Sequence, residues 1–404
     1  MAVKSVIINH EQEKQLLDFS LSADQQNIRD AILKHCSQFP DEYWLERDRE
    51  GVFPHDFYKS LVEAGWLGIA MPTEFGGSGL GITEAAIMMQ AIAESGAGMG
   101  GASSVHIPVF SLQPIALFGT QQQKERILPP VIAGRDQVCF AVTEPNVGLN
   151  TTELKTRAER RDGGYRVNGE KIWISTAQVA NKMLLLARTT PLNEVKRKTD
   201  GLSMFYTDLD RTKIEVRLIH KMGRHAVDSN MLFIQDLWIP EEDRIGPEGE
   251  GFKLILHGLN PERILVAAEA VGIGRAAITR AARYARERIV FNRPIGMNQG
   301  IQHPLAKCWA QVEAANLMIM KAASLFDQGK ECGVEANAGK YLAGEFAFEA
   351  CHTAMLTLGG MGYAQEYHVE RYLRESLIPR TAPVSPHMIL NFLAEKVLGL
   401  PKSY

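Results

Sequence analysis

The chain has 404 residues, 45% of them apolar and 23% charged, and a formal net charge of −3. Those values describe a globular chain of two or three packed units and exclude a disordered or collagen-like one. The near-neutral balance and short basic runs offer no polyanion-binding surface, so nucleic acid is not an expected partner.

No run approaches the roughly 18 uninterrupted apolar residues of a membrane span, so no membrane partner is expected. The opening "MAVKSVIINHEQEKQLLDFS" lacks both a signal-peptide core and an Arg/Ser-rich transit pattern. A soluble intracellular location is expected: cytoplasm in a bacterium, mitochondrial matrix or peroxisome in a eukaryote, although the ending "PKSY" is not the usual peroxisomal tripeptide. Cys36, Cys139, Cys308, Cys332 and Cys351 are odd in number and form no C-x-x-C pair. That pattern predicts reduced thiols rather than a disulfide framework or a zinc site.

The first third reads as helix. "LSADQQNIRDAILKHC" opens on a capping box, Ser22 with Gln25, and continues at helical spacing. "PHDFYKSLVEAGWLG" and "GITEAAIMMQAIAESGAG" repeat the period, and "TQQQKERILPPVIAGR" adds a helix with a Pro-Pro break. From about Cys139 short β-branched and aromatic runs follow, "YRVNGEKIWIS", "NKMLLLART", "LSMFYTDL", "KIEVRLI" and "NMLFIQDLWIP", as in an antiparallel β domain. "EVKRKTDG" is a charged loop between strands. After "EEDRIGPEGEG" the helical period returns almost to the end. The reading is α+β multidomain: an N-terminal helical domain over 1–137, a middle antiparallel β-barrel over 138–247 and a C-terminal four-helix bundle over 248–404.

"EFGGSGLG", residues 74–81, follows no strand and opens no βαβ unit, so it is a turn rather than a dinucleotide loop. The segment "CFAVTEPNVGLNTTELKTRAERRDGGYRVNGEKIWIS" is more specific. With "MPTEFGGSGL", "GFKLILHGL", "ARERIVFNRPIG" and "LGGMGY", it resembles the acyl-CoA dehydrogenase family over nearly the whole chain. The family's T-E-P-x-x-G-S-D becomes Thr143 to Asn150, and its W-I-T/S strand becomes Trp173, Ile174 and Ser175.

The resemblance implies FAD as cofactor, with Phe140, Val142 and Thr143 holding the flavin pyrimidine ring and Trp173 and Ser175 covering the region around N5. Donors at the ring carbonyls and an aromatic wall that excludes water suit flavin chemistry. Leu149 stands where the family has a Ser that contacts flavin or substrate. Arg288, Phe291 and Gln299 match the segment that reaches the diphosphate and adenosine of a neighbouring subunit's FAD, a task suited to a permanently charged, bidentate Arg. Taken alone, Arg288 reads as a solvated helix-end charge. Gly359 and Gly360, with Gly362, match a loop whose backbone passes close to the cofactor, and Leu356 replaces a usual Gln. Ser385 and His387 match positions that touch flavin. The implied form is a homo-oligomer, either a dimer or a tetramer built as a dimer of dimers.

In much of the family a Glu in a Y-E-G-T loop is the base. Pro383 occupies that position here and lacks an N–H to polarise a thioester carbonyl, so Val384 after a local shift is one alternative donor. In isovaleryl-CoA and long-chain acyl-CoA dehydrogenases the base lies instead on a helix, in a segment like L-D-L-E-R-L. "LNPERI" aligns with it, placing Glu262 on the base and Arg263 on the adjacent Arg, a substrate-binding position. The competing reading makes Asn260, Pro261 and Glu262 the N-cap and first turn of a helix, where Glu complements the dipole. Glu269, on roughly the same face, reads as a satisfied buried charge. The small run "SGAGMGGASS" neighbours the acyl pocket by resemblance, and close helix packing accounts for it equally well.

The resemblance thus implies an acyl-CoA substrate, loss of the α-proton to Glu262 and of the β-hydride to flavin N5, and a trans-2-enoyl-CoA product. Electrons would leave to an electron-transferring flavoprotein. Two alternatives remain on sequence grounds: an oxygen-using oxidase or monooxygenase of the same fold, and a decayed FAD-bearing partner subunit.

Overall fold

The computed structural model describes residues 20–403; the readings of the extreme termini lie outside them. Helices, a β unit and helices follow one another as expected. The first helices are α1 (Ala23–Cys36), α2 (Asp41–Glu50), α3 (His55–Glu63), α4 (Ile82–Ile92), α5 (Gly98–Ser111), α6 (Gln113–Phe118) and α7 (Gln121–Ile132). The capping box starts α1: Ser22 Oγ accepts from the Gln25 N–H at 3.2 Å, and Gln25 Oε1 accepts from the Ser22 N–H at 3.1 Å. α5 is buried on every face, which is why it carries no amphipathic stripe. α7 is not broken at Pro129 and Pro130. Each removes one N–H from the ladder, but both lie near its C-terminal end and their carbonyls accept from Ala133 and Arg135, which close the last turn.

Strands β1 (Val138–Ala141), β2 (Arg157–Arg161), β3 (Gly164–Ser175), β4 (Lys182–Arg188), β5 (Leu202–Asp208), β6 (Ile214–Leu218), β7 (Ser229–Pro240) and β8 (Arg244–Ile245) form one sheet. Its order is β6-β7-β3-β2-β4-β5-β8, with β1 added to β4 in parallel. The expected antiparallel barrel is therefore corrected to an open, mostly antiparallel sheet. Closure would need β6 to pair with β8, and a two-residue strand offers no ladder for that.

The C-terminal unit is built on α8 (Gly251–Glu287), α9 (Gln299–Asp327) and α10 (Gly333–Leu358). A short hairpin, β9 (Ile289–Val290) and β10 (Arg293–Pro294), joins the first two, and α11 (Val369–Ser376), α12 (Ile378–Thr381) and α13 (Pro386–Lys396) follow. The α13 helix packs on α10 as a shorter fourth member. Among the described residues no helix is long and apolar enough to cross a membrane, and all five cysteines are buried free thiols.

The crossing of α8 over α4 fixes the relation between the outer units. A Cβ on Gly272 would lie 2.3 Å from the Gln90 carbonyl oxygen and 2.8 Å from Ala93 Cβ. Gly272→Ala should therefore reverse its ordinary sign: an open helix would gain about 1 kcal/mol, whereas here overpacking should cost about 1–3 kcal/mol. A urea titration reads this directly, and a raised midpoint would show that the crossing relaxes.

Candidate active site

A buried ion pair organises the segment that carries the expected flavin residues. Glu144 accepts from the backbone N–H groups of Lys155 (2.7 Å) and Thr156 (2.9 Å) and from Lys171 Nζ (3.0 Å). Lys171, wholly buried, also donates to the Val142 carbonyl at 2.9 Å and the Leu186 carbonyl at 2.8 Å. Burial alone would raise the Glu144 carboxyl, but Lys171 and the amides outweigh it and hold it below the usual range. Desolvation brings Lys171 down to about 8 despite Glu144. The pair joins β3 and β4 to the turn after β1, and Ile172 N–H donates to the Thr143 carbonyl at 2.9 Å. Among the described residues β1 has β4 as its one strand partner, so the other edge at Phe140 keeps ladder groups for a ligand.

Trp173, two residues before the end of β3, has φ 62° and leaves its large ring 57% exposed. Ser175 Oγ accepts from Arg224 Nη2 at 2.8 Å, which leaves its own O–H free to donate. Arg224 also reaches Ser229 Oγ at 3.2 Å and Ser103 Oγ at 3.4 Å, tying β3 and β7 to α5. Sequence reasoning missed this arginine, because nothing in "KMGRHAVDS" marks it. Phe140 packs on Phe110 at 5.1 Å between ring centroids, and Phe110 on His106 at 4.9 Å. Leu149 lies exposed in the loop beyond. These features fit a flavin: an open strand edge, an uncovered aromatic ring and a hydroxyl fixed as a donor.

Glu262 is not a helix-start residue. The α8 helix begins at Gly251, so Pro261 and Glu262 sit well inside it, and the N-cap reading of Asn260 fails. The apolar run Leu254, Ile255 and Gly258 is buried and carries the helix past the proline. Glu262 is partly buried, and among the described residues no hydrogen bond or ion pair engages its carboxylate. Desolvation raises its proton affinity, opposed by the charges of His106, Arg263 and Lys340 and reinforced by Glu269. Arg263 Nη1 donates to Asn260 Oδ1 at 2.9 Å, and its buried Nε has no partner. Glu269 is 1% exposed and sits 2.6 Å from His106 Nδ1, as a satisfied buried charge should.

Pro383 follows α12, in a loop anchored by a residue the sequence reading passed over. Lys340, in α10 and 1% exposed, donates to the Val384 carbonyl at 2.5 Å and lies 3.5 Å from that of Arg380. Desolvation, then Arg263, lowers it to about 8. Ser385 caps α13, its Oγ accepting from Met388 N–H at 3.4 Å, and His387 is exposed on the first turn. Residues 96–104 of the small run are buried, and Ser95 before them is exposed. Glu375 accepts from Met99 N–H at 2.7 Å, and Arg371 donates to the Gly96 carbonyl at 2.6 Å and the Ala97 carbonyl at 3.2 Å.

The other expected cofactor residues lie elsewhere. Arg288 is the exposed C-cap of α8, about 39 Å along the helix from Glu262. Phe291, in the β9–β10 hairpin, is 94% exposed at φ 52°, and Gln299 opens α9 in solvent. Gly359, at φ 61°, and Gly360 follow α10, and nothing lies within 4 Å of where a Cβ would stand on either. A cleft of about 1190 Å³ between α1, α4, α8 and α9, lined by Arg29, Glu94, Arg275 and Glu313, holds none of the expected residues. The candidate site is therefore taken at Glu262, on which His106, Arg263, Lys340 and Glu269 act electrostatically, and not at that cleft.

Three family models match: acyl-CoA dehydrogenase, N-terminal domain, over residues 22–135; middle domain over 139–237; and C-terminal domain over 249–395. Acyl-CoA dehydrogenase FadE12 of Mycobacterium tuberculosis is 35% identical over 391 residues, covering 96% of this chain and 99% of that protein. Caffeyl-CoA reductase-Etf complex subunit CarC of Acetobacterium woodii is 31% identical over 359 residues, covering 87% and 93%. The structure of butyryl-CoA dehydrogenase from Megasphaera elsdenii aligns with a TM-score of 0.90 at 29% identity, covering 95% of this chain and 100% of that one. The chain belongs to the acyl-CoA dehydrogenase family of oxidoreductases, whose structures are FAD-binding flavoproteins.

The Glu144–Lys171 pair offers a test of how the flavin segment is held. Glu144→Ala strands a buried ammonium and should cost about 3–5 kcal/mol, whereas the double change to Glu144→Leu and Lys171→Met should cost clearly less. Thermal denaturation of the three proteins decides it; equal losses in both variants would show that packing, not charge, holds the segment.

Proposed function

We propose that this chain dehydrogenates an acyl-CoA thioester between Cα and Cβ, giving the trans-2-enoyl-CoA, with Glu262 as the base. The observation that carries the reading is a desolvated carboxylate without a hydrogen-bond partner in the interior of α8, beside Arg263 and His106. The α-hydrogen of a thioester is weakly acidic, so its removal needs a positioned base whose proton affinity is raised toward working pH. FAD, when bound, supplies the hydride acceptor.

The chain's own groups do the rest. Phe140, Val142 and Thr143 present the strand edge for the flavin ring, Trp173 covers it and Ser175 donates to it. Glu262 receives the α-proton, and Arg263 balances its charge. Pro383 has no N–H, but the Val384 N–H makes no hydrogen bond among the described residues, while its carbonyl is pinned by Lys340. Val384 is thus the available donor for the thioester oxygen. Arg288, Phe291, Gln299, Gly359 and Gly360 serve the FAD of a second copy, because they lie too far along α8 and α10 to serve the Glu262 site of their own chain. Exposed Ile289, Val290, Leu356 and Leu398 favour such a copy, in a dimer or a dimer of dimers. The relative from an Etf complex favours an electron-transferring flavoprotein as acceptor.

Glu262→Gln should slow anaerobic bleaching of the flavin by acyl-CoA about 10²–10⁴-fold. Its melting temperature should hold or rise: the folded-state proton affinity of Glu262 is raised, so its ionisation opposes folding above the usual value of about 4.3. The same shift should place the acid limb of kcat/KM above that value, with activity lost as pH falls through it. A variant that bleaches at the wild-type rate would remove Glu262 from the chemistry.

A further inference from the structure

His106 and Glu269 set a polar pair in an apolar wall. Val105, Ile107 and Val109 flank the histidine on α5, Ala267, Ala268 and Ala270 flank the glutamate on α8, and all are buried. An apolar pair of similar volume would hold α5 to α8 at least as well, because desolvating two polar groups offsets what their attraction returns. The pair therefore needs a reason besides cohesion.

Its position supplies one. Glu262 and Glu269 are two turns apart on one face of α8, and His106 acts electrostatically on Glu262. Through Phe110 the imidazole is also stacked toward Phe140 and strand β1. His106 is thus linked electrostatically to Glu262 and, through Phe110, to the flavin segment, the two places that an acyl chain must connect on the reading of Glu262 as base. One turn earlier on α5, Ser103 accepts from Arg224, whose buried Nε has no partner.

The ring has capacity left. Nδ1 is committed to Glu269, and Nε2 makes no hydrogen bond among the described residues. In the neutral ring Nε2 is an acceptor and in the charged ring a donor. A hydroxyl satisfies either state; a hydrocarbon satisfies neither.

We infer that the acyl group taken by this site carries a hydroxyl beyond Cβ, hydrogen-bonded by His106 with Glu269 fixing the ring. This rests on the reading of Glu262 given above. The buried run 96–104 agrees with a short acyl group, since Glu375 and Arg371 fill the space beside its backbone.

The test is anaerobic flavin reduction of the FAD-loaded enzyme by a matched pair, pentanoyl-CoA with a terminal hydroxyl and hexanoyl-CoA, which have equal numbers of heavy atoms. The hydroxyl compound should be favoured about 10-fold or more in reduction rate over dissociation constant. A double variant, His106→Leu with Glu269→Leu, should reverse that order, and His106→Gln should keep part of it. The wild-type comparison stands even if a variant fails to fold. Equal or better use of hexanoyl-CoA overturns the inference and leaves the dehydrogenase reading in place, as does a double variant that slows both compounds alike. No reduction by either compound overturns both.

Discussion

The helix α8 is the member on which the other parts depend, and what defines it is how closely it approaches its neighbours. It starts at Gly251, where a Cβ would lie 2.6 Å from the Met204 amide nitrogen of β5, and at Gly272 a Cβ would lie 2.3 Å from the Gln90 carbonyl oxygen of α4. One rigid element is thus seated on the sheet at one end and on the N-terminal helices further along. Glu262 lies between those two contacts, so its place relative to β1 is set by backbone packing rather than by a loop. In the proposed role of base, which must meet one particular hydrogen, it gains from that rigidity.

The pattern of elements was legible because each is announced by local chemistry. The Ser22–Gln25 box starts α1, and the strand runs from Tyr165 to Pro240 alternate or are continuously apolar as half-buried and buried strands should be. Sheet closure was not legible, because it depends on whether two distant edge strands are long enough to pair, and β8 was invisible in "DRIG". The start of α8 was misread for the opposite reason. Asn260, Pro261 and Glu262 satisfy every local rule for a helix start, yet the buried apolar side chains ahead of them keep the helix continuous through the proline. Tertiary burial overrode propensity there.

Much the same division holds for the site. Glu262 and the β1–β3 residues sit in motifs dense enough to be aligned, whereas Arg224, Lys340 and His106 act through neighbours that only folding supplies. Arg224 is defined by three serines from three elements, and Lys340 by a loop more than forty residues later in the chain. His106 gave one faint signal, being the lone ionisable residue of α5, and Glu269 gave another as the lone carboxylate within "ILVAAEAVGIG". Neither signal identifies the other.

Three buried or partly buried carboxylates show how environment assigns roles to one side-chain type. Glu144 receives two amides and an ammonium, so its charge is fixed and its role is to hold strands. Glu269 is held 2.6 Å from His106 Nδ1, so its role is to fix that ring. Glu262 has cationic neighbours but no hydrogen bond to its oxygens, so nothing competes with an incoming proton. Desolvation raises its affinity for one, and the nearby charges of His106, Arg263 and Lys340 temper that rise. Pairing it as firmly as Glu144 would lower that affinity, so the absence of a partner is what the proposed role as base requires.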